Sequence, residues 1–342
     1  MSDSEDESNL PSAQECDRRS KEFAALTNTD TALAMFYLQD RDWDLQRAVN
    51  AFFEENDFEA AGSKSTGSSA STVMTPQSPS LPSMDPEPHR IRILSWNIDG
   101  LDMGNIRTRA KAVCENIMRE TPDVVFLQEF VTEMSDIFDK HCGPSYERFQ
   151  AASDAYYTAM LLKKQTVKCT ETKVVPFYTS RMGRALQSAQ VEVKGIPMTL
   201  ITSHLESTKE HAEERKRQLT AALRAVTEAE GSRTVVFGGD LNLRDPELAA
   251  IGGLPDNIYD LWEVTGKRKE AAFTWDLTRN DNLEWQARFR PKCRFDRLYI
   301  RHSTPRTQLK PVYFELTGLE RIPGCRRFPS DHWGILAHFD KV

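Results

Sequence analysis

From residue 90 onward the chain repeats one pattern: a short apolar or β-branched run that stops at a polar residue or a glycine. Runs too short for a helix and bounded by turn residues read as buried strands. The clearest is Thr234-Val-Val-Phe-Gly-Gly-Asp-Leu-Asn-Leu-Arg-Asp245, where Thr234 to Phe237 forms the run and Gly238 and Gly239 close it. Ile91, Ile93 and Leu94 lead in the same way to Ser95-Trp-Asn-Ile-Asp-Gly-Leu-Asp102. Asp123-Val-Val-Phe-Leu-Gln-Glu129 follows Pro122 and ends in a carboxylate. Further strands are expected over 156–162, 167–176, 185–193, in Met198-Thr-Leu-Ile-Thr-Ser-His204, in Cys293-Arg-Phe-Asp-Arg-Leu-Tyr-Ile300 with Asp296 near its centre, and after Phe328-Pro-Ser-Asp-His-Trp-Gly-Ile335. Helical spacing marks 106–118, with Ile106, Ala110, Val113, Cys114 and Ile117 inward, and 206–228, with Leu219, Ala222, Leu223 and Val226 inward. On the second helix Arg215-Lys-Arg217 reads as a solvated face rather than a nucleic-acid patch. Phe273-Thr-Trp-Asp276 lies in a loop-rich region that ends at Pro291.

The first 89 residues follow a different pattern. Residues 1–12 carry Asp3, Glu5, Asp6 and Glu7 and read as a disordered acidic tail. Residues 13–58 hold three short helical patterns: 13–26 with Phe23 and Leu26, a second after the cap signal Thr29-Asp30 with Ala32, Met35, Phe36 and Leu38, and a third from Asp42 with Trp43, Leu45, Ala48, Val49, Phe52 and Phe53. They suit either a separate three-helix module or a cap packed on the main domain. Residues 59–89 are Ser-, Gly- and Pro-rich, cannot bury a core and read as a flexible linker. That linker favours the separate module. Its Thr75-Pro76 and Ser78-Pro79 are weak phosphorylation signals.

Charge sharpens this division. Residues 1–89 carry 17 acidic against 6 basic side chains, a net −11, whereas the remainder carries 34 against 38, a net +4. The larger part therefore permits a polyanionic substrate without demanding one. The six cysteines are scattered with no CxxC pair, so neither a disulfide framework nor a zinc site is indicated and a reducing compartment is expected. No apolar run approaches the length of a membrane span and no signal peptide opens the chain, so no membrane partner is expected.

The candidate chemistry sits at the strand tips: Asn97 with Asp99, Glu129, His204, Asp240 with Asn242, and Asp331 with His332. Taken singly, each has a plain structural reading: an Asx turn, a surface Glu, a core His. Five such tips in one domain are hard to explain by surface statistics. In an extended segment Asp240 and Asn242, two apart, would point to one side. A mid-strand Asp296 must be partnered, and it is free to orient His332. Carboxylates suit a hard divalent cation, and amides and imidazoles suit the charge that builds on a phosphate under attack, so the mix points to metal-assisted phosphodiester hydrolysis.

The set resembles the exonuclease–endonuclease–phosphatase superfamily through Ser95-Trp-Asn-Ile-Asp-Gly-Leu101, Leu127-Gln-Glu129, Ser203-His-Leu205, Gly239-Asp-Leu-Asn242 and Ser330-Asp-His332, in that family's order over 90–342. The resemblance implies an α+β fold, a four-layer αββα sandwich. The helical module, with Asp42-Trp-Asp44 and Ala48-Val-Asn-Ala-Phe52, resembles ubiquitin-associated domains. Within the superfamily His204-Leu-Glu-Ser207, Asn242-Leu-Arg-Asp245, Gly252-Gly-Leu-Pro255, Phe273-Thr-Trp-Asp276 and Arg327-Phe-Pro-Ser-Asp-His-Trp-Gly334 resemble the branch that acts on tyrosyl-DNA bonds.

That resemblance implies cleavage of the bond between a topoisomerase 2 tyrosine and a 5′ DNA phosphate during double-strand break repair, with Mg²⁺ or Mn²⁺ as cofactor. Glu129 would bind the metal with Asp99 nearby. Asp240 would orient and deprotonate water, with Asn242 fixing its position. Asn97, His204 and His332 would donate to the phosphate, Asp296 would orient His332, and Asp331 would point elsewhere. Arg184 and Arg244 would hold DNA phosphates, Ser207 would contact the strand, and Trp275 and Leu283 would line a narrow groove for a single-stranded 5′ end. The expected partners are 5′-phosphotyrosyl DNA, topoisomerase 2 adducts and, through the N-terminal module, ubiquitin. A monomer in the nucleus, with some cytoplasmic presence, is expected. The rivals are another phosphoesterase of the superfamily, such as an abasic endonuclease or lipid phosphatase, and a signalling adaptor with a non-catalytic domain. Clustered carboxylates, costly to keep together, argue against the adaptor.

Overall fold

The computed structural model describes residues 13–27, 31, 34, 38, 43–45, 48–49, 87–151, 156–285 and 289–342. The chain divides into two compact units, Met1–Leu81 and Pro82–Val342. In the first, helix α1 (Ala13–Thr27) buries Phe23 with Ala34, Leu38, Trp43 and Ala48 in a small apolar cluster. Arg19 donates to the carbonyl of Trp43 at 2.6 Å and closes that cluster. The expected acidic tail lies outside the described residues. So do most of the second and third helices and the linker up to residue 86 with its Ser/Thr-Pro pairs.

In the second unit the elements run β1 (Arg90–Asn97), α2 (Ile106–Glu120), β2 (Val124–Val131), α3 (Ser135–His141), β3 (Tyr146–Gln150) and β4 (Tyr156–Lys163). Then come β5 (Val167–Pro176), β6 (Ala185–Val193), β7 (Ile196–Ser203), α4 (Ala212–Glu228), β8 (Thr234–Asp240), α5 (Asp245–Ala250), β9 (Ile258–Asp260) and α6 (Leu261–Val264). The chain ends with β10 (Trp275–Asp276), β11 (Lys292–Cys293), β12 (Asp296–Arg301), β13 (Leu309–Thr317) and β14 (Gly334–Lys341). Two six-stranded sheets form, ordered β13-β14-β1-β2-β4-β3 and β5-β6-β7-β8-β12-β9, with β10 and β11 as a separate pair.

Each sheet has a parallel pair near its centre, β1 with β2 and β7 with β8, and antiparallel strands elsewhere. Parallel neighbours need a crossover connection, and the two long helices α2 and α4 supply it. Both faces of each sheet are covered over the central strands. Ile91, Ile93, Val124, Phe126, Leu200, Val236 and Leu298 meet in one core drawn from both sheets. Their alternates Leu94, Trp96, Val125 and Leu127 pack on α2 through Val113 and Ile117, and Ile201, Val235 and Phe237 pack on α4 through Leu219 and Leu223. Strands buried on both faces read as continuous apolar runs, which is why the sequence shows runs rather than alternation.

Three expectations are corrected. Asp296 is the first residue of β12, not its centre, and pairs in register with Asp240 at the end of β8. Glu129 does not end its strand. It sits inside β2 at a register shift between Leu127 and Phe130, with φ 56°. The second long helix begins at Ala212, because residues 204–211 form a loop that carries the site.

Candidate active site

The parallel pairs deliver the site. The last residues of β1 and β8 come together: Asn97 Nδ2 donates to Asp240 Oδ2 at 2.9 Å across the two sheets. The antiparallel neighbour β12 enters the same end and places Asp296 there, and the turn before β14 brings in His332. That turn is fastened to β1, since Ser330 Oγ donates to the Asn97 carbonyl at 2.6 Å and Trp96 Nε1 to the His332 carbonyl at 2.9 Å.

Asp240 is the centre of this group and is buried. Its Oδ2 lies 3.3 Å from His204 Nε2 and 3.9 Å from His332 Nε2, and its Oδ1 accepts the Asn242 N–H at 2.9 Å. Burial raises its pKa, but the two imidazoles and the hydrogen bonds from His204 and Asn97 outweigh it and hold the carboxyl well below the usual range. His332 Nδ1 lies 2.8 Å from Asp296 Oδ2. Burial disfavours the His332 charge, yet Asp296, Asp331 and Asp240 raise its pKa well above the ordinary value. Burial pushes Asp296 up, although His332 opposes it. The result is an ionised carboxylate facing an imidazole kept ready to donate.

A second group lies at the mouth of β1 and β2. Asp99 and Glu129 both adopt left-handed backbone, and Gly100 lets their loops meet: a Cβ there would stand 2.0 Å from the Glu129 carbonyl. Burial first, then the charges of Asp331, Glu129 and Asp102, push Asp99 up to about 8 in spite of Arg109, 3.3 Å away. Mutually repelling carboxylates, all oxygen donors, fit a hard divalent cation that would relieve them. By spacing, Asp240, Asp296 and His332 could also hold an ion, with donor atoms within 4.8 Å of one another. There the facing atoms of Asp296 and His332 are already spent on each other, and a protonated imidazole has no lone pair for a metal. Glu129 and Asp99 therefore fit the cation better. Asp331 acts on His332 only through its charge, and its Oδ2 accepts from Trp275 Nε1 at 3.1 Å.

The remaining expected residues line one side. Arg184 is inside the wall rather than on it: buried, it bonds His204 Nδ1 and Ser207 Oγ, both at 2.9 Å. The Arg244 guanidinium is more open and stacks 5.2 Å from the Phe295 ring. Trp275 forms a bridge with His332 and packs edge-on against Trp285, and Leu283 is exposed nearby in sequence. Asn242 differs from the expectation. With φ 48° it is not extended, and its amide reaches Leu205 O and Ser207 Oγ instead of pointing alongside Asp240. It fixes Asp240 and the 205–207 loop. Three residues escaped the sequence reading. Tyr156 carries the Arg184 guanidinium 5.0 Å over its ring, Phe295 joins Trp275, Arg244 and His332, and Arg109 lies buried under Asp99. Phe295 had a signal, an aromatic directly before the acid that starts a strand.

Comparison with known proteins agrees with this geometry. Residues 94–332 match the Endonuclease/Exonuclease/phosphatase family and residues 19–59 a UBA-like domain. The chain is 39% identical to Xenopus laevis tyrosyl-DNA phosphodiesterase 2, over 96% of this chain and 95% of that protein. Against the Homo sapiens tyrosyl-DNA phosphodiesterase 2 the identity is 38%, over 94% and 91%. The crystal structure of D. rerio TDP2 complexed with single-strand DNA product covers 73% of this chain and 99% of its own, at 40% identity and a TM-score of 0.71. The chain belongs to the endonuclease/exonuclease/phosphatase family and, within it, to the tyrosyl-DNA phosphodiesterases.

Proposed function

We propose that this phosphodiesterase hydrolyses the bond between a tyrosine side chain and a 5′ DNA phosphate, that its natural substrates are topoisomerase 2 adducts, and that it works with Mg²⁺ or Mn²⁺. The observation that carries the reading is the central group itself: an ionised Asp240 faces two imidazoles and an amide, and one of those imidazoles is paired with Asp296. Asp240 orients the attacking water and accepts its proton as charge builds on the phosphate. Asn97, His204 and His332 donate to the phosphate oxygens, and Asp296 holds His332 in its donating orientation. Glu129 and Asp99 hold the cation, which when bound neutralises phosphate charge as a Lewis acid. Family members generally depend on a divalent metal, and Mg²⁺ is the hard ion these oxygens suit.

The strand side is Ser207, Arg244 and the Trp275, Leu283 and Phe295 surface, with Arg184 acting through His204 and Ser207. Stacking on aromatic faces tolerates many base sequences. The 5′ polarity is this reading's own and rests on the motif resemblance, while the single-strand DNA product held by the D. rerio relative supports a groove for an unpaired strand. The N-terminal unit, matched as UBA-like, is read as a ubiquitin-binding module on a monomeric enzyme. With a DNA-end substrate the proposed place of work is the nucleus, with some of the protein in the cytoplasm. The test is release of free tyrosine from a 5′-phosphotyrosyl oligonucleotide, with Mg²⁺ and with a chelator. Release only with the cation, and none from a 3′-tyrosyl end, is expected. Equal release from both ends would overturn the polarity.

A further inference from the structure

We infer that Arg215 and Glu247 form a positioning relay that holds the strand-binding loops in register. The inference rests on the reading of Arg184, Ser207 and Arg244 as the strand side of the site. Arg215 is the fourth residue of α4 and is fully buried, whereas its neighbours, half-buried Lys216 and exposed Arg217, pair with Glu213 and Glu214 on their own helix. Its Nη1 donates to the carbonyls of Glu206 at 2.8 Å and Thr208 at 2.7 Å. Its Nε and Nη2 meet the two Glu247 oxygens at 3.0 and 2.5 Å, the two-pronged geometry in which a guanidinium fits a carboxylate. Glu247 also accepts the Arg244 N–H at 3.1 Å. One guanidinium thus ties the loop that carries Ser207 to the turn that carries Arg244.

Glu206 extends the tie to a third loop. Its carboxylate accepts from Gln218 at 2.9 Å, from the Ser180 hydroxyl at 2.7 Å and from the Arg181 N–H at 2.8 Å. The Ser180 oxygen in turn accepts the Arg184 N–H at 2.9 Å. None of these loops is in a sheet, so no strand pairing fixes them. Burying an ion pair is a poor way merely to fasten a helix, since well-packed apolar side chains do it as well. What the fork adds is direction, and here both prongs are spent on backbone and side chains next to the proposed strand contacts. Loops held in the bound arrangement before the strand arrives lose less freedom when it binds.

The prediction is a defect in binding rather than in chemistry. In the full chain, Glu247→Gln and Arg215→Lys should raise KM for a 5′-phosphotyrosyl oligonucleotide about tenfold with kcat within about twofold, the pattern of lost preorganisation. Product-strand binding, followed by fluorescence anisotropy without metal, should weaken in step. Because the relay acts through Arg244, the Glu247→Gln effect should shrink below about twofold in an Arg244→Ala background, as coupled residues do. If kcat and thermal stability fall while KM stays put, Arg215 is a structural strut and the relay is overturned. Additive losses in the double variant overturn it as well. Unchanged strand binding by Arg244→Ala alone would overturn the strand-side reading itself, and the relay with it. If Arg215→Ala does not fold, the Lys and Glu247→Gln variants carry the test.

Discussion

The two sheets of the catalytic unit each contain the same device, with opposite charge. In the first, β1 leads through a polar loop to α2 and then to the parallel β2. In the second, β7 leads through a loop to α4 and then to the parallel β8. Each crossover helix carries a fully buried arginine at its fourth position, Arg109 or Arg215, turned back on the loop before it. Arg109 donates to five carbonyls, those of Ile98, Asp99, Asp102, Gly104 and Pro329, and Arg215 to two carbonyls and Glu247. Each sheet also ends a strand with an Asx turn whose third residue is left-handed: Asn97 Oδ1 accepts the Asp99 N–H, and Asp240 Oδ1 accepts the Asn242 N–H, both at 2.9 Å. The order of acid and amide is reversed between them. The first sheet therefore gathers carboxylates at its mouth, and the second sets imidazole, amide and guanidinium around the Asp240 carboxylate, with Asp296 paired to His332 beside it. One scaffold can face a cation on one side and a phosphate on the other because polarity depends on only a few loop residues.

The largest effects should come from the seam between the sheets. Asp240→Asn keeps a hydrogen-bonding group and removes its basicity, and losing a general base costs about 10²–10⁴-fold in rate. His332→Ala should cost roughly 10²–10³-fold, as for loss of one charge-stabilising donor. The leaving group separates the two roles. A better leaving phenolate needs less charge stabilisation but still needs an activated water. Over a series of substituted phenyl phosphodiesters the His332→Ala defect should shrink more than the Asp240→Asn defect. Constant defects across the series would break the assignment.

A smaller effect should mark the strand side. Trp275→Ala removes an aromatic face and the N–H that Asp331 accepts, but no side-chain contact of Asp240. Binding of a single-stranded 5′ end should weaken by about 1–3 kcal/mol, the usual worth of one base–aromatic stack, and should do so for any sequence. Titration of labelled oligonucleotides of different composition measures this. A loss confined to one base type would mean hydrogen-bond readout rather than stacking.

What could be read in the sequence follows the same division between local and long-range causes. Strand runs, the two long helices and the polar tips were legible, because each is a short-range pattern. The pairing was not: β1 meets β14 in a register that joins Arg90 to Asp340, and nothing near Arg90 in sequence announces it. Asp296 was misplaced within its strand because β11 and β12 read as one run, and Glu129 because a bulge leaves no mark in composition. Arg215 was misread beside Lys216 and Arg217, although its spacing from Leu219, Ala222 and Val226 puts it on their buried face. Charge type outweighed period in that reading, and the period was the better guide.

The electrostatic contrast has a pH signature. Asp99, pushed up to about 8, has an unfolded-state pKa near ~3.9. A carboxyl raised by folding favours the folded state when protonated, and that contribution is lost as pH rises from the unfolded value through the folded one. Metal-free protein should therefore lose thermal stability between about pH 5 and about pH 8 from this group. Mg²⁺ or Mn²⁺ should restore it, and restore more at the alkaline end, since the cation needs the ionised form and displaces the proton. Thermal unfolding with chelator and with cation checks this. A cation effect independent of pH would remove Asp99 from the cation's surroundings.

The smallest effect tests the reversed Asx turns directly. Asp99→Asn gives the first sheet the same third residue that the second sheet has at Asn242. The backbone should accept it, because Asn tolerates the left-handed region as well as any residue but glycine. Two terms compete. The substitution loses the ion pair with Arg109, but it also removes a buried charge from among Glu129, Asp331 and Asp102. The raised pKa of Asp99 shows that burial and repulsion outweigh the Arg109 attraction, and Arg109 keeps all five of its carbonyl partners. Without metal the variant should be more stable than the parent, with the advantage growing from about pH 5 to about pH 8 and flat above. Each kcal/mol of relief raises the melting temperature by about 2–4 °C in a domain of this size. With saturating cation the order should reverse, because the variant has one ligand oxygen fewer to offer. Scans at several pH values in chelator and in Mg²⁺ read both signs, and a variant that is less stable in chelator would show that Arg109, not the acid cluster, governs this loop.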